Sequence, residues 1–152
     1  MHQIRATARR SRRARNLAAL ALAAVLAVSA VAVPTALARG AKTVAGEAHA
    51  RSLHATVLTN TKGHTLYTLS GEKKGRFLCT TRSCLATWPP LLVAAGTKPM
   101  GPVNLGTIKR PGGQIQVTYR GAPVYTFSGD SRKGEANGEG LRDVGVWHAV
   151  TP

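Results

Sequence analysis

Short runs of alternating hydrophobic and polar residues recur from position 53 to the end of the chain. In the run 53–57, leucine, alanine and valine alternate with histidine and threonine; in the run 115–119, isoleucine, valine and tyrosine alternate with glutamine and threonine. A period of two places alternate side chains on one face of a β-strand. Because glycine and proline turns separate the runs, the pattern predicts an all-β domain, a small barrel or a sandwich. At most one short helix is expected, between residues 80 and 88, capped by Thr81 or Ser83.

One ten-residue segment occurs twice. Residues 63–72 read Gly-His-Thr-Leu-Tyr-Thr-Leu-Ser-Gly-Glu, and residues 121–130 read Gly-Ala-Pro-Val-Tyr-Thr-Phe-Ser-Gly-Asp. At an offset of 58, without gaps, the glycines and the tyrosine, threonine and serine coincide. A fixed internal period indicates repeated structural units. We therefore predict two β repeats related by a pseudo-twofold axis, repeat 1 over about residues 53–93 and repeat 2 over about residues 107–152.

The repeated segment contains aromatic residues followed by an acid. Tyr125 and Phe127 share one face of the predicted strand and are expected in the core, as is Tyr67 in the first copy. Asp130, and less effectively Glu72, should then accept hydrogen bonds from nearby backbone amides and open a turn. On this interpretation, Asp130→Asn costs little stability. In the alternative interpretation, Tyr125 and Asp130 are exposed at a pocket and bind a ligand.

The second copy has the form Tyr-x-(Phe/Trp/Tyr)-x-x-Asp over residues 125–130. With this motif the chain resembles a family of secreted repeats of unknown function, whose lipoprotein members carry it. The first copy departs from the motif at Leu69 and Glu72. The resemblance runs from about residue 53 to residue 152 and implies no established activity.

Other features of this resemblance are a cysteine pair and three aromatic residues. Cys79 and Cys84 precede Trp88, and Tyr119 and Trp147 follow in the second half. We expect the three aromatic side chains to contribute to the core. An even cysteine count in an exported chain favours a disulfide between the pair. A redox pair or a zinc site remains as an alternative, although the Cys-x4-Cys spacing and the lack of a second pair favour neither.

Residues 1–38 have the composition of a signal peptide. Arginines without acids precede an apolar run over residues 17–33, and Ala36-Leu37-Ala38 follows. We expect cleavage after Ala38. This cleavage leaves a flexible lead-in over residues 39–50 and the two-repeat domain over residues 51–152. An uncleaved anchor is the alternative, but the run is at the lower edge of the length that spans a bilayer. Either general or twin-arginine export fits the basic segment.

Replacing Ala38 by leucine is expected to block processing, because the position before the cleaved bond accepts only small side chains. N-terminal sequencing of the exported protein checks this prediction, with Arg39 expected at the start of the parent protein. A different first residue would show that the cleavage site lies elsewhere.

Charge gives a further indication of partners. The chain has 21 Lys and Arg and 6 Asp and Glu. Six arginines leave with residues 1–38, so 15 basic against 6 acidic residues remain, a net charge of +9. This excess favours anionic cell-envelope polymers as partners, with solubility as the simpler explanation. Few aromatics argue against a specific nucleic-acid platform. The basic residues form pairs at predicted turns: Lys73-Lys74, Lys109-Arg110 and Arg132-Lys133.

No chemical motif indicates an enzyme. Signatures such as Gly-x-Ser-x-Gly are missing, and we predict no catalytic residue, metal site or cofactor. His54, His64, His148 and Met100 are conceivable ligands of copper or haem, although their spacing favours neither. We therefore expect an exported, non-catalytic binding or structural domain of the cell envelope. The alternative is an envelope metal-, haem- or redox-associated protein.

Overall fold

The computed structural model describes residues 40–152. The predicted signal peptide and its cleavage site lie outside these residues. The described part of the chain contains no helix with the length and hydrophobicity needed to cross a membrane.

Within residues 40–152 the chain forms ten short strands and one short α-helix, with a 3-10 turn at Arg51–Leu53. The predicted all-β class is confirmed, and the sheets are open, which fits a sandwich and not a closed barrel. The elements are β1 (Ala41–Thr43), β2 (Ala45–Ala50), β3 (Ala55–Asn60), β4 (Tyr67–Leu69), α1 (Arg82–Thr87), β5 (Leu92–Val93), β6 (Lys98–Met100), β7 (Leu105–Lys109), β8 (Ile115–Tyr119), β9 (Ala122–Pro123) and β10 (Trp147–Ala149).

The largest sheet is built on β8. Antiparallel β7 lies along one edge of β8, and β5 and β9 share its other edge. Two antiparallel pairs, β2 with β3 and β4 with β10, complete most of the fold. β7 and β8 therefore form an antiparallel hairpin. The first repeat pairs with the last strand of the chain.

The expected flexible lead-in is corrected by the structure. Residues 41–50 form β1 and β2, and β2 pairs with β3 along its full length. Val44, Ala45 and Ala50 are buried. β1 pairs in parallel with β6, a segment that also lacks a strand pattern. Each segment obtains its partner from a distant part of the chain, so local alternation could not reveal either strand.

Helix α1 follows local capping rules. The Thr81 side chain accepts a hydrogen bond from the Cys84 amide at 3.2 Å, so Thr81 is the N-cap. The helix ends before Pro89, which cannot continue it. Cys79 and Cys84 form the expected disulfide, with their Cα atoms 5.5 Å apart.

The two repeats are related by equivalent backbone contacts. Tyr67 and Tyr125, which coincide in the sequence repeat, pair antiparallel, with N–H···O bonds of 2.8 and 2.9 Å in the two directions. Reciprocal pairing of a residue with its own counterpart is what a local twofold axis produces. Around the axis, Leu66 donates to Leu58 as Val124 donates to Val117. The expected pseudo-twofold relation is thus visible in the backbone.

Candidate functional site

An aromatic cluster lies where the two repeats meet. The Trp88 and Trp147 rings stack with their centroids 3.8 Å apart and their planes 11° apart. Tyr67 meets Trp88 edge-on at 5.4 Å, and Tyr125 meets Trp147 edge-on at 5.1 Å. All four side chains are at most 1% exposed. The two tryptophans are 59 residues apart in the sequence, so this stack also follows the repeat.

The tyrosine of each motif copy forms a hydrogen bond with the acid of the other copy. The Tyr67 hydroxyl donates to Asp130 Oδ2 at 2.6 Å, and the Tyr125 hydroxyl donates to Glu72 Oε2 at 2.8 Å. Each tyrosine therefore binds the acid of the other repeat. Both carboxylates are buried, at 3% exposure for Asp130 and 2% for Glu72. Buried carboxylates are stable only when they are hydrogen-bonded, and these crossed bonds supply part of that requirement.

The same carboxylates also bind backbone amides of the loops that follow them. Asp130 Oδ1 accepts from the Asn137 amide at 2.9 Å. Glu72 Oε1 accepts from the Leu78 and Cys79 amides at 2.6 and 2.8 Å. The expected amide bonds are therefore present, but they join the acid to the far end of a six- or seven-residue loop. Each acid consequently fixes both ends of its loop.

A buried arginine extends the hydrogen-bond network around the Tyr125 hydroxyl. Arg110 is 5% exposed and donates from Nη1 to the Tyr125 hydroxyl at 2.9 Å and from Nη2 to the Cys79 carbonyl at 2.8 Å. It also donates to Gln116, and its guanidinium lies 4.7 Å from the centre of the Phe77 ring. In the sequence it is one half of an ordinary basic pair at a turn. No local signal distinguishes Arg110 from exposed arginines.

Protonation of the tyrosines is fixed by their burial. Burial, with the bond to Asp130, raises the pKa of Tyr67 far above its ordinary value, and burial also raises the pKa of Tyr125. Burial raises the pKa of the Asp130 carboxyl as well, although the hydrogen bond from Tyr67 acts to lower that pKa. The phenols stay protonated and act as donors. The crossed hydrogen bonds of these phenols join the two repeats in the interior.

Asp143 joins the two tryptophans. Its Oδ2 accepts from Trp88 Nε1 at 3.1 Å, and its Oδ1 accepts from Trp147 Nε1 at 2.8 Å. A single carboxylate thereby satisfies both indole donors of the stack. Sequence reasoning missed this role, because the residue lies in a polar loop with no motif around it.

The other predicted aromatic residues are divided between two places. Phe127 is partly buried against Trp88, with a ring separation of 4.5 Å. Tyr119 is partly buried against a different cluster, which contains Leu58, Val117 and related aliphatic residues. It therefore does not join the tryptophan stack.

The conceivable metal ligands are dispersed. His148 Nδ1 lies 3.0 Å from Glu139 Oε1, and Met100 is 47% exposed. His54 is exposed in a left-handed backbone conformation, and His64 directly follows the turn after β3. Within residues 40–152, no group of three or more His, Cys, Asp or Glu side chains is arranged to hold a metal ion.

A basic cleft opens on the surface beside the Asp130 loop. Its volume is about 700 Å³. The cationic side chains that line it are Arg51, Arg132 and Lys133, and His49 lies with them. A smaller neighbouring cleft is also lined by Lys133, together with Lys62. Asn137, whose amide binds Asp130, lines the larger cleft, so the buried motif directly supports this surface.

The fold and these contacts define a two-repeat all-β domain with a disulfide. Residues 106–151 match a family described as a secreted repeat of unknown function. The predicted resemblance is thereby confirmed over the second repeat. No curated protein and no solved structure matches the chain. The match and the disulfide fit an extracytoplasmic protein.

Proposed function

We propose that this protein is an exported, non-catalytic domain that binds an anionic polymer of the cell envelope through its basic cleft. The observation that carries the proposal is the convergence of Arg51, Arg132 and Lys133 on one open cleft. These side chains come from two distant segments of the chain. Cations gathered in a cleft attract polyanions more strongly than the same cations spread over a surface.

One acid shares the cleft, and its contacts support the proposal. Glu135 Oε2 accepts from the backbone amides of Ser131 and Arg132 at 2.7 and 3.0 Å. These amide bonds lower the pKa of the Glu135 carboxyl, so it is ionised at neutral pH. The Glu135 carboxylate points to the backbone of its own loop, and the amide dipoles there partly offset its negative charge. Arg132 Nε lies 4.0 Å from Glu135 Oε1, but the Arg132 side chain is 86% exposed and is available to a ligand.

The recurring motif fits this function as a support for the basic loop. Asp130 anchors the loop through the Asn137 amide, and the Thr65 hydroxyl donates to the Glu135 carbonyl from the other repeat. The loop that carries Arg132 and Lys133 is therefore held at both ends. A preorganised loop loses less conformational entropy when it binds a ligand.

Binding to two defined polymers tests the proposal. A linear polyphosphate offers phosphate groups and a polyuronate offers carboxylates, so the pair distinguishes the two sources of charge. We expect saturable binding to at least one of them, weakened by salt because exposed charges are screened. The double substitution Arg132→Gln, Lys133→Gln should weaken binding roughly tenfold to thirtyfold, since each cation near an anionic surface contributes about 1 kcal/mol.

The matched control is the double substitution Lys42→Gln, Lys98→Gln. Both lysines are exposed, lie on the paired strands β1 and β6, and do not line the basic cleft. This control removes the same net charge and should bind almost as the parent does. Equal weakening by the two double substitutions would mean that only net charge matters, and the cleft proposal would fail.

A further inference from the structure

The basic turn beside the cleft has a counterpart in the first repeat. Lys73-Lys74-Gly75 and Arg132-Lys133-Gly134 coincide at an offset of 59, because Ser131 adds one residue to the second repeat. Both turns are closed by the same backbone bond. The Arg76 amide donates to the Lys73 carbonyl at 3.2 Å, and the Glu135 amide donates to the Arg132 carbonyl at 3.2 Å.

Each basic turn also contacts the equivalent hairpin of the other repeat. The Gly134 amide donates to the Gly63 carbonyl at 3.2 Å, and the Lys74 amide donates to the Gly121 carbonyl at 3.4 Å. Gly63 and Gly121 are equivalent positions of the sequence repeat. The contact between a basic turn and a hairpin therefore occurs twice. In each contact the turn comes from one repeat and the hairpin from the other.

Both hairpins add a cation beside the turn that they contact. Lys62 precedes Gly63, and Arg120 precedes Gly121. Lys62, Lys73, Lys74 and Arg120 are all exposed. Each turn therefore carries two cations, and one further cation precedes the hairpin glycine that the turn contacts. The Arg120 guanidinium lies 4.9 Å from the centre of the Tyr119 ring, so the two lysines of the first-repeat turn are its free cations.

The buried acids support the two basic turns in the same way. Glu72 directly precedes the first turn and binds the Leu78 amide at its far end. Asp130 precedes the second turn and binds the equivalent Asn137 amide. The sign of the charge differs between the two turns at one position, where the first repeat has Arg76 and the second has Glu135. The first-repeat turn therefore lacks the acid that shares the basic cleft.

We infer that Lys73 and Lys74 form a second polyanion-binding site, so that one chain is bivalent for the same class of ligand. The inference rests on the proposed function and extends it to the pseudo-twofold counterpart of the basic cleft. Two sites on one rigid domain let a polymer bind twice, or let the domain bridge two polymer strands. Either arrangement raises the apparent affinity for long polymers above that of one site.

Calorimetric titration with tripolyphosphate at low salt tests the inference on the exported protein. This probe is a small anion, so the stoichiometry counts separate sites. We expect two anions per chain for the parent and for the Lys42→Gln, Lys98→Gln control. The first-site variant Arg132→Gln, Lys133→Gln and the second-site variant Lys73→Gln, Lys74→Asn should each retain one. Asparagine is chosen because Lys74 has a φ of 54°, which asparagine tolerates.

The possible outcomes separate the two proposals. One anion per chain, lost only in the first-site variant, would overturn the second site and leave the proposed function intact. One anion per chain, lost only in the second-site variant, would overturn the basic cleft as the site and support Lys73 and Lys74. No saturable binding by the parent would overturn both. Thermal unfolding of every variant, expected to match the parent, shows that these exposed substitutions leave the fold intact.

Discussion

Trp147→Ala is expected to destabilise the domain by about 3–5 kcal/mol, the usual cost of deleting a large buried aromatic side chain. Trp147 is fully buried, stacks on Trp88 and meets the Tyr125 ring edge-on. Its removal opens a cavity at the contact of the two repeats and leaves an oxygen of Asp143 without its indole donor. Small domains have about 5–15 kcal/mol of stability, so this loss is a large share of the total.

Urea unfolding followed by tryptophan fluorescence measures the effect, with circular dichroism as a second probe because one fluorophore is removed. Trp88→Ala should cost a similar amount, because the pseudo-twofold relation gives it an equivalent environment. Phe127→Ala provides the matched control. Its ring contacts the same cluster but is only partly buried, so its cost should be smaller. If Trp147→Ala unfolds at the parent's urea concentration, the stack is not the contact that joins the repeats.

Breaking one crossed tyrosine–acid pair should cost about 1–3 kcal/mol, because the group left behind is buried without its partner. Tyr67→Phe leaves Asp130 Oδ2 without the phenol and the Gly138 amide without its 3.3 Å acceptor. Asp130→Asn keeps one oxygen for the Asn137 amide but loses the second acceptor. Asp130→Asn should therefore lower the free energy of unfolding by more than the small amount expected if Asp130 only formed a turn. Asp130→Ala should lower it further.

A double-mutant cycle isolates this contact. If the phenol and the carboxylate stabilise each other, Tyr67→Phe combined with Asp130→Asn will cost less than the sum of the single substitutions. Strict additivity would show that the pair contributes nothing. The Tyr125–Glu72 pair serves as an internal comparison, with Tyr125→Phe expected to cost at least as much because Arg110 also loses a partner.

The pH dependence of the Asp130→Asn cost follows from the raised pKa of the Asp130 carboxyl. A folded-state pKa above the ordinary value of 3.8 means that the folded protein holds this proton more tightly than the unfolded chain does. The carboxyl therefore adds stability at low pH, and that part is lost as the pH rises through the folded-state pKa. The cost of Asp130→Asn should be larger at pH 4 than at pH 7. A cost that grows with pH would contradict this burial effect.

The buried motif and the basic surface form one arrangement. Each acid receives a phenol from the opposite repeat and holds a loop that begins with basic residues. The recurrence of a tyrosine and an acid is then explained by support of two equivalent turns. A ligand pocket at the motif itself would need exposed Tyr125 and Asp130 side chains, whereas both are buried.

The sequence by itself determined the features that depend on neighbouring residues. Alternation with a period of two predicted the strands that are β3 and β8, and the residues around Thr81 predicted the start of α1. The internal repeat predicted two equivalent units, and the even cysteine count predicted the disulfide between Cys79 and Cys84. These features follow from side-chain direction, capping and short-range geometry, which act within a few residues.

Only the tertiary structure decided which distant groups meet. Tyr67 and Asp130 are 63 residues apart, and nothing near either residue indicates that they bond across the repeats. No local signal indicates the parallel pairing of β1 with β6 either. Likewise, nothing in the sequence indicates that Arg110 is buried while its neighbour Lys109 is exposed. Burial and long-range hydrogen bonding depend on how the repeats pack. The physical reason is that a one-dimensional pattern records which face a side chain takes, and not what lies opposite that face.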